Sequence, residues 1–312
     1  MKSKDIIILG HSGFIGQNLL NSYKNNKKIY LISRQKKTKN NREYQYDIFS
    51  DHRWFNLIKD KSTIFFLAFN NNLYELEKDK LYLKKIENFC ENFKKHIIRQ
   101  NIKVNIIFTS TVTIYGVTKK WEIINELYKD NPCSNYDLAK KVIEKNFLIY
   151  AKQGLIKFVS LRLSNIYGYG KNLNQKNRGF LNKLLKNIFQ DDEIFIFGSG
   201  KKLRSYIHIE DLIKAIRIAK KNIKKLNGRI FILCGNKSYS FLDLIKISSK
   251  ILGKKVRFKK KSFPKYINKI EKRSFVGNNK LFKKYTNWEP KIDLEKGISK
   301  VFWSLKKNEY NN

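Results

Sequence analysis

The chain has 312 residues, 42% of them hydrophobic, and its 66 Lys+Arg against 26 Asp+Glu give a formal net charge of +40. That length can bury a large core, while no apolar run approaches the roughly 20 residues of a membrane-spanning helix and the N-terminal run is too short for a secretory signal. The three cysteines, Cys90, Cys133 and Cys234, are widely spaced with no Cys-x-x-Cys pair, which argues against a disulfide framework or a metal site and for a reducing, cytoplasmic setting.

Ile6-Ile7-Ile8-Leu9 reads as a strand and runs directly into Gly10-His11-Ser12-Gly13-Phe14-Ile15-Gly16 and the helix start Gln17-Asn18-Leu19-Leu20. In this context the glycines have separate tasks. Gly10 allows a tight turn, Gly13 lets the backbone approach a pyrophosphate, and Gly16 lets the helix pack close to the strand. Ser12, Phe14 and Ile15 sit at a helix start whose N–H groups and dipole favour phosphate. Ile29-Tyr30-Leu31-Ile32-Ser33 reads as a second strand. Thr63-Ile64-Phe65-Phe66-Leu67-Ala68 reads as a fully buried one, and Val104-Asn105-Ile106-Ile107-Phe108-Thr109-Ser110 as another. Between these last two, residues 74–99 carry Leu76, Leu83, Ile86, Phe89, Phe93 and Ile97 on one helical stripe. A helix near 136–150 leads into the strand Phe158-Val159-Ser160-Leu161-Arg162-Leu163.

Strands alternating with helices argue for βαβ units and a doubly wound parallel sheet. The pattern loosens after about residue 167. Gly and Asn punctuate 168–179; then 211–219 reads as helix, 230–233 as strand and 241–252 as helix. The basic run 254–261 reads as a solvated strand or loop, and 306–312 as a frayed tail. The expected organisation is a dinucleotide-binding domain, 1–167, and a smaller substrate-binding lobe, 168–312, some of whose segments return to the sheet.

Tyr136-Asp137-Leu138-Ala139-Lys140 places Tyr and Lys one helical turn apart on one face. A neighbouring ammonium stabilises phenolate, so Lys140 is expected to lower the Tyr136 pKa and make Tyr136 a general acid/base near neutral pH. The run Phe108-Thr109-Ser110-Thr111-Val112-Thr113-Ile114-Tyr115-Gly116 ends a strand just before it, where parallel sheets line their ligand crevice. A hydroxyl there, such as Thr111, can hold a substrate oxygen while Tyr136 moves the proton.

With Leu67-Ala68, Leu161-Arg162-Leu163-Ser164-Asn165-Ile166-Tyr167-Gly168, Arg204-Ser205-Tyr206-Ile207-His208-Ile209-Glu210-Asp211 and Asn287-Trp288-Glu289-Pro290 in order downstream, the chain resembles an extended short-chain dehydrogenase/reductase of the NAD-dependent epimerase/dehydratase family over nearly its whole length. The resemblance implies a doubly wound Rossmann sheet with a smaller C-terminal lobe, an NAD or NADP cofactor and a nucleotide-diphosphate sugar as substrate. It implies Thr111, Tyr136 and Lys140 as catalytic residues, Lys140 also contacting the nicotinamide ribose. Leu67 and Ala68 fall to the cofactor site, and Asp47-Ile48 is similar to the pair that reaches the adenine. Asn165 falls near the substrate phosphates. Arg204 matches the arginine that grips the diphosphate, where a planar guanidinium suits bidentate contact, with Lys272 or Arg273 as a second basic contact. A homodimer through the helices at 74–99 and Tyr136 is the corresponding expectation for assembly, although the stripe on the first helix equally suits a core.

Departures from the family pattern narrow the chemistry. Where 4,6-dehydratases carry an acidic pair after the catalytic Thr, this chain has Val112 and Thr113, which cannot deprotonate carbon or expel a hydroxyl. Epimerisation, or reduction of a 4-keto group, remains. At the end of the second strand, Arg34-Gln35-Lys36-Lys37 supplies no acid for a ribose 2′-hydroxyl before Glu43, and Arg34 suits a 2′-phosphate; this favours NADP over NAD. Tyr82 stands where relatives often have Asn, and His11 is read as packing or solvent-facing. The lysines are spread evenly, without zinc-finger spacing or an aromatic RNA-binding motif, so no specific nucleic-acid partner is expected. The competing class is a non-catalytic relative that senses nucleotides or binds RNA, against which the intact Thr111, Tyr136 and Lys140 set argues.

Overall fold

Side chains alternate across a strand, and in the first strand both sets are apolar, so it is buried on both faces. The computed structural model describes residues 5–23, 28–34, 42–69, 73–119, 122–169, 179–262 and 273–309. Its strands are β1 (Ile6–Leu9), β2 (Ile29–Ser33), β3 (Glu43–Gln45), β4 (Thr63–Phe66), β5 (Val104–Thr111), β6 (Ile123–Ile124), β7 (Ile156–Leu163), β8 (Asn165–Tyr167), β9 (Ile194–Phe197), β10 (Arg204–His208), β11 (Arg229–Leu233), β12 (Ser238–Tyr239), β13 (Phe258–Lys261) and β14 (Val276–Gly277). The helices used below are α1 (Phe14–Asn21), α2 (Leu73–Lys78), α3 (Tyr82–Arg99), α4 (Asn135–Lys152), α5 (Phe180–Phe189), α6 (Ile209–Lys221), α7 (Ile223–Leu226) and α8 (Phe241–Leu252).

Seven strands form one sheet in the order β11-β7-β5-β4-β1-β2-β3, all pairs parallel. Ile7 and Leu9 enter the core that holds Ile86, Phe89 and Phe93 of α3 and Phe147 of α4. Ile6 and Ile8 enter the opposite core, with Leu19 of α1 and Leu212 and Ile216 of α6. This is the doubly wound, Rossmann-like sheet expected from the sequence. Strand order reverses between β1 and β4, and that is where such sheets open a crevice beyond the carboxyl ends of their strands. β11 joins the sheet edge beside β7. β12, β10 and β8 form a separate small sheet, over a cluster that includes Leu185 of α5, Leu244 of α8 and Phe302.

Two details differ from the sequence expectation, the division of the 74–99 helix and the extent of the last one. The helix expected over 74–99 is two helices, because Asp79 takes the Leu81 N–H at 3.0 Å and the Lys85 ammonium at 2.9 Å on its own carboxylate, competing with the helical backbone. The stripe Ile86, Phe89, Phe93 and Ile97 is spent in the chain's own core. The C-terminal helix runs to Glu309 rather than fraying at 306, with Phe302 and Leu305 buried. The basic run 254–261 holds β13, exposed at every residue. Among the described residues no helix is long and apolar enough to cross a membrane, and no group of His, Cys, Asp or Glu could hold a metal.

Candidate active site

The glycine turn closes the end of β1. Gly10 has φ +86°, and a Cβ on it would lie 2.7 Å from the Ala68 Cα. A Cβ on Gly16 would lie 2.2 Å from the Gly10 carbonyl oxygen, which fixes how tightly α1 packs on the turn. Gly13 is different: a Cβ there would meet only the Gly10 oxygen, at 3.4 Å. Gly13 is also the N-cap of α1, and no side chain caps that helix end. The turn therefore presents backbone and dipole to an open space, which fits a dinucleotide pyrophosphate.

Two adjoining cavities run along the strand ends. The larger, about 710 Å³, is walled by Gly10, Ser12 and Gly13, by Arg34 at the end of β2, by Asp47 and Ile48, and by Leu67 and Ala68. The smaller, about 430 Å³, is walled by Phe14, Ile15 and Gly16, by Thr111, Tyr136 and Lys140, and by Asn165. Gly10, Gly13, Leu67 and Phe69 border both. Most of the residues expected at a cofactor or reaction site thus come together from across the first half of the sequence. Arg204 opens β10, half-buried, and borders neither cavity. Lys272 lies outside the described residues.

α4 sets the spacing of Tyr136 and Lys140. Ser134 caps it, accepting the Asp137 N–H at 3.2 Å, and the first-turn Asp137 suits the helix dipole. Further along α4, Glu144 holds Arg162 of β7 at 2.6 Å, and Arg162 also holds Asp130 at 2.6 Å. This buried ion network ties the helix to the sheet beneath the site. Tyr136 meets Phe69 edge-on, with ring centres 5.8 Å apart. Lys140 donates to the Thr109 carbonyl, and its ammonium lies 5.5 Å from the centre of the Tyr136 ring.

The expected lowering of the Tyr136 pKa is not what this geometry gives. Burial, with the neighbouring Asp137 carboxylate, raises the phenol above its ordinary range. Lys140 is itself 2% exposed, and desolvation pushes its ammonium down to about 7. Loss of solvation is the leading cause for both groups, and it penalises each charged form.

Thr111, at the end of β5, shares a 2.8 Å hydrogen bond with Thr113. The Thr113 hydroxyl donates to Asp137, whose other oxygen pairs with Arg273 at 3.0 Å. Arg273 also donates to the Thr113 carbonyl oxygen at 3.3 Å. Both its terminal nitrogens are thereby turned into the protein, so Arg273 is not the second diphosphate contact expected from sequence; a buried carboxylate has claimed it.

The family model described as NAD dependent epimerase/dehydratase matches residues 6–234. The chain belongs to that family. Among relatives of this epimerase/dehydratase chain, an uncharacterised protein of Schizosaccharomyces pombe is 28% identical over 230 residues, 67% of this chain and 62% of that protein's length. A UDP-glucuronate 4-epimerase of Thermodesulfobacterium geofontis is 25% identical over 321 residues, covering 96% of this chain and 95% of its own. The crystal structure of a UDP-glucose 4-epimerase from Thermotoga maritima, solved with UDP-glucose, superposes with a TM-score of 0.84 at 22% identity over 98% of this chain and 99% of that one.

In this epimerase/dehydratase family member, several residues around the site carry no linear signal. Phe69 places its ring centre 3.9 Å from the Lys140 ammonium. Asp137 has no assigned role in the Tyr136–Lys140 run, and only folding gives it Arg273. Glu43, the nearest acid after β2, is buried against His11 at 2.8 Å, so His11 packs as expected and Glu43 is turned away from the larger cavity. Tyr82 borders that cavity with a buried hydroxyl that has no hydrogen-bond partner among the described residues.

Proposed function

We propose that the protein is an NAD(P)-dependent enzyme of nucleotide-sugar metabolism that acts at sugar C4, as a 4-epimerase or a 4-ketoreductase. The observation that carries this reading is the smaller cavity, in which the glycine turn meets Thr111, Tyr136 and Lys140. A dinucleotide would be held by Gly10, Ser12, Gly13, Phe14, Ile15 and Gly16, with Leu67 and Ala68 beside it and Asp47 and Ile48 toward its adenine end. When bound it accepts or returns hydride at the sugar carbon.

Tyr136, which burial keeps protonated, would give its proton to a 4-keto oxygen. In the opposite direction it would take that of the 4-hydroxyl only as the phenolate, a form that the positive charge of a bound oxidised dinucleotide would favour. Thr111 holds the same oxygen. Lys140 lies beneath them, able to change protonation near neutral pH. Asn165 and Arg204 are assigned to the substrate diphosphate. Fixing the sugar by its diphosphate orients C4 and removes much of the entropic barrier. Dehydration is disfavoured, because Val112 is packed among apolar side chains and Thr113 is bonded to Asp137. Arg34, which borders the larger cavity, supports NADP in preference to NAD.

The test uses the protein as purified. Bound dinucleotide is released by denaturation and identified by mass, and nicotinamide absorbance is followed as UDP-sugars and 4-keto sugars are added. Retained cofactor with no net absorbance change on turnover identifies an epimerase; stoichiometric oxidation of added NADPH by a 4-keto sugar identifies a reductase. Binding of neither dinucleotide overturns the assignment.

A further inference from the structure

The amino ends of the sheet strands carry charge of one sign. Across the sheet from β11 to β3, the strands start at or just after Arg229, Lys157, Lys103, Lys61, Lys28 and Arg42. Only β1 breaks the row, with Asp5. The cations are exposed except for the half-buried Lys157. Because the strands are all parallel, these residues share one end of the sheet, opposite the glycine turn and Tyr136. Neighbouring strands lie about 4.8 Å apart, so the row spans about 30 Å.

The row widens on both faces of the sheet. α3 ends at Arg99 and α4 at Lys152 on one face; α6 ends at Lys221 and α7 holds Lys225 on the other. Cations at helix ends suit the helix dipole and by themselves say nothing more. A sheet contributes only a small net dipole, so that account does not reach the row along the strand starts. Among the described residues of these strand starts and helix ends the acids are Asp5 and Asp60. Each already faces a lysine of the same end, Lys59 at 3.6 Å and Lys61 at 3.3 Å. Other acids, such as Glu75, Asp137 and Glu210, stand in first helical turns.

We propose that this end of the molecule is a docking surface for an anionic lipid bilayer, held there by charge and not by insertion. The cations extend in two directions, along the strand row and out to the helix ends on either side, which matches an area of negative charge better than a single polyanion strand. Tyr23 and Tyr285 approach this end, but a nucleic-acid base would find a cation already over each ring, Lys220 at 4.9 Å and Arg229 at 4.6 Å. Exposed charges act over about 8 Å at physiological ionic strength, so lysines on flexible stems reach lipid phosphates together. Docking by this end leaves the cavities at the carboxyl ends of the strands facing water, and it is independent of the reaction proposed there.

The test is flotation of the full chain with vesicles of phosphatidylcholine alone and of equal parts phosphatidylcholine and phosphatidylglycerol, at physiological salt. The wild-type protein should float with the mixed vesicles only, and high salt should release it. Two variants of equal net charge locate the surface. One carries Lys61→Gln, Lys103→Gln, Lys157→Gln and Lys225→Gln; the other carries Lys84→Gln, Lys246→Gln, Lys260→Gln and Lys296→Gln, in α3's first turn and the C-terminal lobe. The first should bind about a hundredfold or more weaker, each lysine near an anionic surface being worth about fivefold. The second should lose less than about tenfold, since its charges lie beyond the screening length.

Should the first variant fail to fold, acetylation of the wild-type protein gives the same answer: mixed vesicles should protect Lys61, Lys103, Lys157 and Lys225 and leave Lys84, Lys246, Lys260 and Lys296 reactive. No flotation of the wild-type protein, equal weakening of the two variants, or even protection of both sets of lysines overturns the proposal. Retention of the protein on poly(U) RNA against an excess of mixed vesicles overturns it in favour of a nucleic-acid partner.

Discussion

The Lys140 ammonium lies 3.9 Å from the centre of the Phe69 ring, and Phe69 borders both cavities. A cation over an aromatic face gains attraction, but the same ring helps exclude water, and Lys140 is pushed down to about 7 as a result. Lysine buried in this way binds its proton less firmly folded than unfolded. Between about 7 and the ordinary lysine value of 10.5, the unfolded chain therefore holds more protons, and stability rises with pH. Lys140→Met removes that slope. Paired thermal melts should show the wild-type protein gaining on Lys140→Met as pH rises from about 7 toward 10; a difference independent of pH counts against the burial of the ammonium.

Tyr136→Phe keeps the ring contact with Phe69 and deletes only the hydroxyl, which makes no hydrogen bond among the described residues. The variant should melt within a degree or so of wild type while turnover on nucleotide sugars falls about a hundredfold to ten-thousandfold, the usual worth of a positioned acid/base. Near-normal turnover would remove Tyr136 from the mechanism.

Glycine substitutions should separate folding from binding. Gly16→Ala puts a methyl 2.2 Å from a backbone oxygen, and overpacking of this kind costs about 1–3 kcal/mol or more. Gly13→Ala adds a methyl in ordinary contact, 3.4 Å from its neighbour. Differential scanning should find Gly16→Ala destabilised and Gly13→Ala near wild type, while dinucleotide titration finds both weakened.

Glu144→Ala leaves Arg162 buried with half its partners gone. Arg162 keeps its pair with Asp130, so the loss is that of charge-assisted hydrogen bonds to Glu144, about 1.5–3 kcal/mol. Denaturant unfolding should show a loss of that order, with Tyr136 and Lys140 losing their support as α4 loosens from β7.

Arg34 is exposed at the end of β2. Arg34→Ala should weaken NADPH binding about tenfold or more, as expected for loss of a charge-assisted contact to phosphate, and leave NADH binding within a factor of about two. Equal effects on both would place Arg34 away from the 2′ position.

Much of this site is written locally. A run such as Ile6-Ile7-Ile8-Leu9, apolar in both alternating sets, must be buried on two faces; the glycines that follow must turn; and a spacing of four on a helix must bring Tyr136 and Lys140 onto one face. Covalent proximity and backbone geometry impose these consequences before any tertiary contact forms, which is why the parallel sheet, the turn and the Tyr/Lys pair were legible in the sequence. Tertiary structure decided what surrounds them. Asp137 and Arg273 are 136 positions apart, and no periodicity links them. The protonation preferences of Tyr136 and Lys140 are set by desolvation, a property of everything packed around them, so the sequence supplied the pair while folding, by removing water from both members, set the direction of their pKa shifts.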